Sequence, residues 1–369
     1  MSTTTAATTD LRFAHEANTS PVSDDRRAEI LANPGFGKHF TDHMARATWT
    51  PSEGWHADAV QAYAPLTLDP ASAVLHYAQE IFEGLKAYRH ADGSVWTFRP
   101  QANAARFARS ARRLALPELP EQAFLASIES LVTADAAWVP TGGETSLYLR
   151  PFMFASEAFL GVRPAAEVTY LVIASPAGAY FPGGVRPVSI WLSQEYTRAA
   201  PGGTGSAKCG GNYAASLVAQ QEASAHGCDQ VCFLDATEHE WVEELGGMNL
   251  YFVLDDGSVV TPSLTDSILE GVTRMSVLQL AADLGHEVRE ERVSVTSWRE
   301  GVASGRIREV FACGTAAVIT PVGRLVEPGA EHVSGDGETG EVTAAIRSEL
   351  LDLQYGRAED AHGWMHRLV

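Results

Sequence analysis

Of the 27 basic residues in the chain, three are lysines, Lys38, Lys86 and Lys208, and the other 24 are arginines. An arginine side chain cannot be deprotonated in a protein, so a reaction that needs a neutral amine, imine formation above all, must draw on one of these three. Lys208 has the most suggestive setting: residues 202–213 read GGTGSAKCGGNY, with glycines on both sides of the lysine. Glycine allows close backbone approach to a bound group, which suits an amine that has to reach a carbonyl carbon. Taken alone, the pattern equally describes a surface lysine in a flexible loop.

The better-known readings of such a loop fail. A phosphate-gripping P-loop needs glycine before its lysine and Ser or Thr after it, and Ala207 and Cys209 stand there. In a dinucleotide fingerprint started at Gly203 the third glycine falls on Lys208. Cys228 and Cys232 are separated by three residues, not the two of a zinc knuckle, and with Cys209 and Cys313 they read as free thiols in a reducing compartment. The twelve histidines never take the helical pair spacing of a hydrolytic zinc site, so no metal centre is expected.

A pyridoxal phosphate site would need more than the lysine. Its phosphate calls for backbone N–H groups at a helix start and a cation, its ring nitrogen for a carboxylate, and its phenolic oxygen for a hydrogen-bond donor. Gly271-Val272-Thr273 opens a helix, and Gly314-Thr315-Ala316 follows a buried strand, so both supply N–H groups and hydroxyls that can meet an anion. Each alone is a common helix start.

The elements around these residues alternate between short strands and helices. With 369 residues, 45% hydrophobic and 20% charged, there is room for two domains with ordinary cores. A net charge of −19 without long acidic runs disfavours a nucleic-acid partner. The sequence starts without the basic and apolar run of a leader, and no stretch reaches the ~18 apolar residues of a membrane span, so a cytoplasmic protein is expected. Residues 1–30 read as a loose arm and 31–175 as a smaller α/β domain. In the latter, strands are expected at 94–98, 145–155 and 167–174, and helices at 101–115 and 121–138. The turn-rich segment SPAGAYFPGG, 175–184, marks the boundary, so 176–185 is the linker and 186–369 a larger mixed α/β domain. There, strands are expected at 188–192, 231–235 and 309–313, a hairpin at 249–261, and helices at 212–226, 273–284 and 341–355.

Five strings taken in order, FEGLKAY (82–88), YLRP (148–151), KCGGNY (208–213), ELGGMN (244–249) and GTA (314–316), resemble the branched-chain amino-acid aminotransferases. Those are fold type IV, or class IV, pyridoxal-phosphate enzymes with the two-domain α+β architecture of D-amino acid aminotransferase. The likeness runs from about Phe36 to the carboxyl end and is greatest to the long actinobacterial form. It implies reversible transfer of the α-amino group between L-leucine, L-isoleucine or L-valine and 2-oxoglutarate.

By the same resemblance Lys208 carries pyridoxal 5′-phosphate as a Schiff base and Lys86 is structural. Tyr213 then donates to the phenolic oxygen and Glu244 pairs with the ring nitrogen. Arg99 grips the phosphate with Val272, Thr273 and Thr315. Without the resemblance, Arg99 and Glu244 read as ordinary ion-pair or exposed charges. The substrate pocket is implied to be lined by Tyr77, Phe82, Tyr148 and Tyr180, with Arg150 meeting the distal carboxylate of glutamate. Gly247, Thr315 and Ala316 are implied to meet the α-carboxylate. Leu160 and Val162 match residues that reach a neighbouring subunit's pocket, which implies a homodimer.

Two departures from the animal members stand out. Ala317 and Thr320 replace their Cys-x-x-Cys pair, and Gly247 replaces a threonine. Rival readings on the same fold are a D-amino-acid transaminase, an R-selective amine transaminase and an aminodeoxychorismate lyase. From another class comes a cofactor-free scaffold.

Overall fold

Along Ser146–Ala155 buried residues (Leu147, Leu149, Met153) alternate with half-buried ones (Tyr148, Arg150, Phe152), the period of a strand with two different faces. Val168–Ala177 is apolar along most of its length and pairs with it antiparallel, from Ser146 opposite Ala177 to Ala155 opposite Val168. These strands centre one sheet of a computed structural model that describes residues 11–179 and 184–369. The chain divides into two compact units. The first takes the described residues of Met1–Tyr180 with Ala207–Gly210 and Gln354–Val369; the second takes those of Phe181–Ser206 with Gly211–Leu353.

In the first unit the strands lie in the order Ala14–His15, Gly54–Ala62, His43–Thr50, Val168–Ala177, Ser146–Ala155, Leu85–Arg89, Val95–Phe98 and Met365–Arg367. Glu80–Phe82 pairs separately with Ser146–Ala155, setting Phe82 opposite Phe152 and Glu80 opposite Phe154. The odd-numbered residues Ile81, Leu85, Leu147, Leu149 and Met153 join Phe107, Ala111, Phe124, Ile128 and Leu131 in one buried cluster. Those last five come from the helices Pro100–Arg113 and Glu121–Ala134. Burying this face leaves the even-numbered side chains, Phe82, Tyr148 and Arg150 among them, on the other one.

In the second unit the order is Val242–Leu245, Gln230–Leu234, Val188–Leu192, Val318–Glu327, Ile307–Gly314, Asn249–Leu254, Val259–Pro262 and Val288–Glu291. A further pairing, Glu244 with Asn249, joins the first of these to the sixth and closes six strands into a ring. The pairing covers the outer edge of Val242–Leu245, and the core gathers Ile190, Leu192, Leu250, Phe252, Val310 and Val322. The helices Val272–Asp283, Val295–Ser304 and Glu341–Gln354 complete the unit's longer elements.

Several expected boundaries differ from these. From Leu11 onward the amino-terminal segment is packed: Leu11 and Phe13 are buried, Ala14–His15 pairs with Ala59 and Val60, and Asp24–Ala32 is a helix capped by Ser23. Two apolar side chains in the core suffice to hold it, and isolated apolar residues leave no periodic signal. The helix expected over 212–226 is broken into Gly210–Ala214 and Leu217–Ala225, with the Ser216 hydroxyl hydrogen-bonded back to the carbonyl of Tyr213. Residues 354–369 belong to the first unit, because Met365–Arg367 pairs with Val95–Phe98. Among the described residues no helix is long and apolar enough to cross a membrane.

Candidate active site

Lys208 lies within the four residues that join the first unit between two stretches of the second. Its N–H donates to the Ser110 hydroxyl (3.0 Å) and its carbonyl accepts from the N–H of Phe82 (3.0 Å). The N–H of Gly210 donates to the Glu80 carboxylate, where burial outweighs that hydrogen bond and the nearby Arg150 charge and pushes the pKa up. The lysine backbone is therefore pinned to a helix and a strand rather than lying in a mobile loop.

Its ammonium nitrogen lies 4.8 Å from the centre of the Phe82 ring, and the Arg150 guanidinium carbon lies 4.8 Å from the same centre. The two cationic groups are thus at most twice that distance apart. Arg150 also donates to the Tyr148 hydroxyl (2.9 Å), while its Nε is buried without a partner. The Tyr148 hydroxyl fits against Gly84, where a Cβ would collide with it. Phe36 meets the Tyr148 ring edge-on, centroids 5.1 Å apart. Beneath this face the fully buried Glu83 accepts from Arg106 Nε (2.7 Å) and Nη2 (2.8 Å) and from Asn103 (2.7 Å). Burial pushes the Glu83 carboxyl up, but Arg106, then Lys208 and Asn103, bring it below the usual carboxylate range. Lys86 is buried in the strand Leu85–Arg89, opposite Tyr148, and Lys38 is exposed.

Arg99 follows the strand Val95–Phe98 in the left-handed region (φ 49°) and stands at the N-cap of the helix Pro100–Arg113. Its N–H donates to the Trp364 carbonyl (2.7 Å), its guanidinium lies 4.7 Å from the Trp364 ring centre, and burial pulls its pKa down. Tyr77 ends the short helix Ala73–Tyr77. Its hydroxyl donates to the Leu160 carbonyl, and its ring lies against Phe159. Leu160 is 68% and Val162 89% exposed. Tyr180 lies outside the described residues.

In the second unit Glu244 stands at the pairing that closes the ring. Its carboxylate accepts from Arg198 and from the N–H of Leu269 (2.8 Å), with the Asn249 amide 3.4 Å away. Asn249 links this carboxylate to a helix start, for its Oδ1 occupies the space a Cβ on Gly271 would fill. The helix Val272–Asp283 begins there with Gly271 at its N-cap, which has no side chain to cap it, and Thr273 sits in its first turn. The Tyr213 ring packs at the open Cα of Gly247, at 3.7 Å from an added Cβ. Gly314, before Thr315 and Ala316, stacks in the same way on Met248 and the Gly247 carbonyl.

The expected residues among those described fall into two sets: Lys208, Arg99, Tyr77, Phe82, Tyr148, Arg150, Leu160 and Val162 in the first unit, and Tyr213, Glu244, Gly247, Val272, Thr273, Thr315 and Ala316 in the second. The donor set fits pyridoxal phosphate. The second unit offers a helix start N-capped by glycine for the phosphate, a buried carboxylate paired with an arginine for the ring nitrogen and a tyrosine hydroxyl, and the first unit offers one amine. Sequence reasoning missed Arg198, Asn249, Ser110 and Glu80. Asn249 ends a string already noted, whereas Arg198 and Ser110 lie 46 and 98 residues from their partners and carry no local signal.

Residues 80–325 match the model of the class IV amino-transferases. The chain belongs to that family and has the type IV fold. It is 64% identical over 350 residues to a probable branched-chain-amino-acid aminotransferase of Streptomyces coelicolor, covering 95% of this chain and 96% of that one. It is 58% identical over 362 residues to the branched-chain-amino-acid aminotransferase of Mycolicibacterium smegmatis, covering 97% and 98%. Among solved structures, the Escherichia coli branched-chain amino acid aminotransferase superposes with a TM-score of 0.73 at 31% identity, covering 88% of this chain and all of that one. The T.th. branched-chain amino acid aminotransferase with pyridoxamine 5′-phosphate gives 0.72 at 31% identity, covering 88% and 99%.

Proposed function

We propose that this chain is a branched-chain-amino-acid transaminase with pyridoxal 5′-phosphate as cofactor, exchanging the α-amino group between L-leucine, L-isoleucine or L-valine and 2-oxoglutarate. The observation that carries this reading is the placement of Lys208 Nζ and Arg150 Cζ about one ring, each 4.8 Å from the centre of Phe82. An apolar side chain can lie on Phe82, and a glutamate side chain can extend past it to the unpartnered Nε of Arg150.

The cofactor supplies a carbonyl that pairs reversibly with amines and a ring that accepts electrons. Lys208 would hold the cofactor, and its amine, when free, would take the proton from the substrate Cα and return it at the carbon that keeps the nitrogen. Glu244, paired with Arg198, would hold the ring nitrogen protonated. Tyr213 donates to the phenolic oxygen. Arg99, Thr315 and the N–H groups of Val272 and Thr273 hold the phosphate. Gly247, Thr315 and Ala316 receive the α-carboxylate. Phe82, Tyr148, Tyr77 and Tyr180 line the side-chain pocket.

Leu160 and Val162, exposed on a loop tied down by Tyr77, fit a role in a second subunit's pocket within a homodimer. The small-molecule partners are amino acids and 2-oxo acids, and the compartment is the cytoplasm.

The test is a visible absorption spectrum of the purified protein, repeated after adding L-leucine without any oxo acid. A cofactor band that collapses to the amine form with L-leucine and persists with D-alanine is the expected result. Collapse with D-alanine alone would move the assignment to a D-specific transaminase. A protein that stays colourless after reconstitution would remove Lys208 from its role.

A further inference from the structure

Next to Glu244 in sequence, Glu243 is a second carboxylate, 5% exposed, to which the reading above gives no task. One of its oxygens accepts from the Ser267 hydroxyl, and the other is buried without a partner. Ser267 also accepts, at its carbonyl, from the Arg198 Nη2 that pairs with Glu244 (2.8 Å). Glu243, Ser267, Arg198 and Glu244 therefore form one buried network. Among the described residues its hydrogen bonds join two carboxylates and one arginine.

The charge count is uneven. With both carboxylates ionised, the network carries a net negative charge away from water, which is costly; with Glu243 protonated it is neutral. The charged and titratable groups bearing on Glu243 are Glu244, Arg198, Asp235 and Cys232. Burial, followed by the charges of Glu244 and Asp235, pushes its carboxyl up against the Ser267 hydrogen bond and the Arg198 charge. A second cation beside Glu244 would reverse the balance and leave two positive charges facing two negative ones.

We propose that Glu243 is a positioning residue for the ring-nitrogen site: a reserve counter-charge whose ionisation is disfavoured while Arg198 is the one arginine hydrogen-bonded into this network, and becomes favoured when a protonated ring nitrogen joins Glu244. The inference rests on Glu244 facing that nitrogen. Ser267 transmits it, because the residue that donates to Glu243 also accepts from Arg198 and so ties the alignment of the arginine to the state of the second carboxylate.

The experiment compares wild type, Glu243→Gln and Glu244→Gln by two readouts: melting of the cofactor-free protein against pH, and affinity for pyridoxal 5′-phosphate followed by absorbance. Glu243→Gln removes a charge that burial disfavours, so at neutral pH its cofactor-free form should melt higher than wild type. The gap should close below about pH 4, where the carboxyl is protonated folded and unfolded alike. The same variant should bind the cofactor about tenfold more weakly, the equivalent of one pK unit of coupling. A residue needed only for packing or hydrogen bonding would lower both, so opposite signs are diagnostic. Unchanged or tighter cofactor binding in Glu243→Gln, or a cofactor-free form that melts lower, overturns the inference. If Glu244→Gln weakens binding while Glu243→Gln does not, the inference alone falls. If Glu244→Gln binds as wild type does, Glu244 does not face the ring nitrogen and both readings fall.

Discussion

Replacing Arg106 by methionine tests whether the ion pair under the Phe82 face holds the first unit together. Arg106 gives the fully buried Glu83 two charge-assisted hydrogen bonds, at 2.7 and 2.8 Å. At about 1.5–3 kcal/mol each, their loss amounts to about 3–6 kcal/mol. Methionine fills most of the arginine stem, so the stranded carboxylate dominates. The penalty has a ceiling, because Glu83 can take up a proton instead, at about 1.36 kcal/mol for each pH unit above its ordinary value of 4.5. That ceiling is about 4 kcal/mol at about pH 7.5 and about 1.4 kcal/mol at about pH 5.5.

The sign follows from linkage. In wild type the Glu83 pKa lies below its unfolded value, so its contribution is present above about pH 4.5 and is lost as pH falls through the folded value. Without Arg106, burial takes over and the pKa rises, so the variant should lose stability as pH increases. Urea unfolding of both cofactor-free proteins at the two pH values reads the difference directly. A loss under about 1 kcal/mol at the higher pH, or equal losses at both, would refute the argument.

Two further perturbations address the substrate face. Arg150→Met should reduce kcat/KM for L-glutamate about 100-fold, the value of one charge-assisted contact, and leave L-leucine within a few-fold; parallel losses for both would take Arg150 away from the distal carboxylate. Gly84→Ala drives a methyl into the Tyr148 hydroxyl, which is bonded to Arg150, so KM should rise several-fold for both substrate classes with a stability cost of about 1–3 kcal/mol. Unaltered KM values would show that Tyr148 can shift without consequence.

What the sequence revealed followed physical lines. Lys208 could be read because arginine had taken nearly every other cationic position, and the helix at Val272 because Gly271 precedes it. Strand alternation separated the buried odd residues of Ser146–Ala155 from the half-buried Tyr148, Arg150 and Phe152. Long-range partners stayed hidden. No local pattern ties Arg198 to Glu244 or Ser110 to Lys208, since each is set by how strands and helices meet after folding. The break in the helix expected over 212–226 also escaped, because a serine hydroxyl turning back on its own backbone looks the same in sequence as one facing solvent.

The strand Met365–Arg367 gives the first sheet an unusual timetable. Gln101 and His366, near neighbours beside this pairing, are 265 residues apart in the chain, and the length between them includes the whole of the second unit. On the ribosome, Val95–Phe98 therefore emerges long before the strand that covers it and waits as an open edge, able to pair with any extended chain nearby. Loop closure over such a length adds only a modest thermodynamic penalty, growing as the logarithm of the separation, so the burden falls on kinetics. A nascent or truncated chain lacking its final turn of sequence would carry a folded sheet with an unguarded margin, and its hazard would be self-association rather than loss of chemistry.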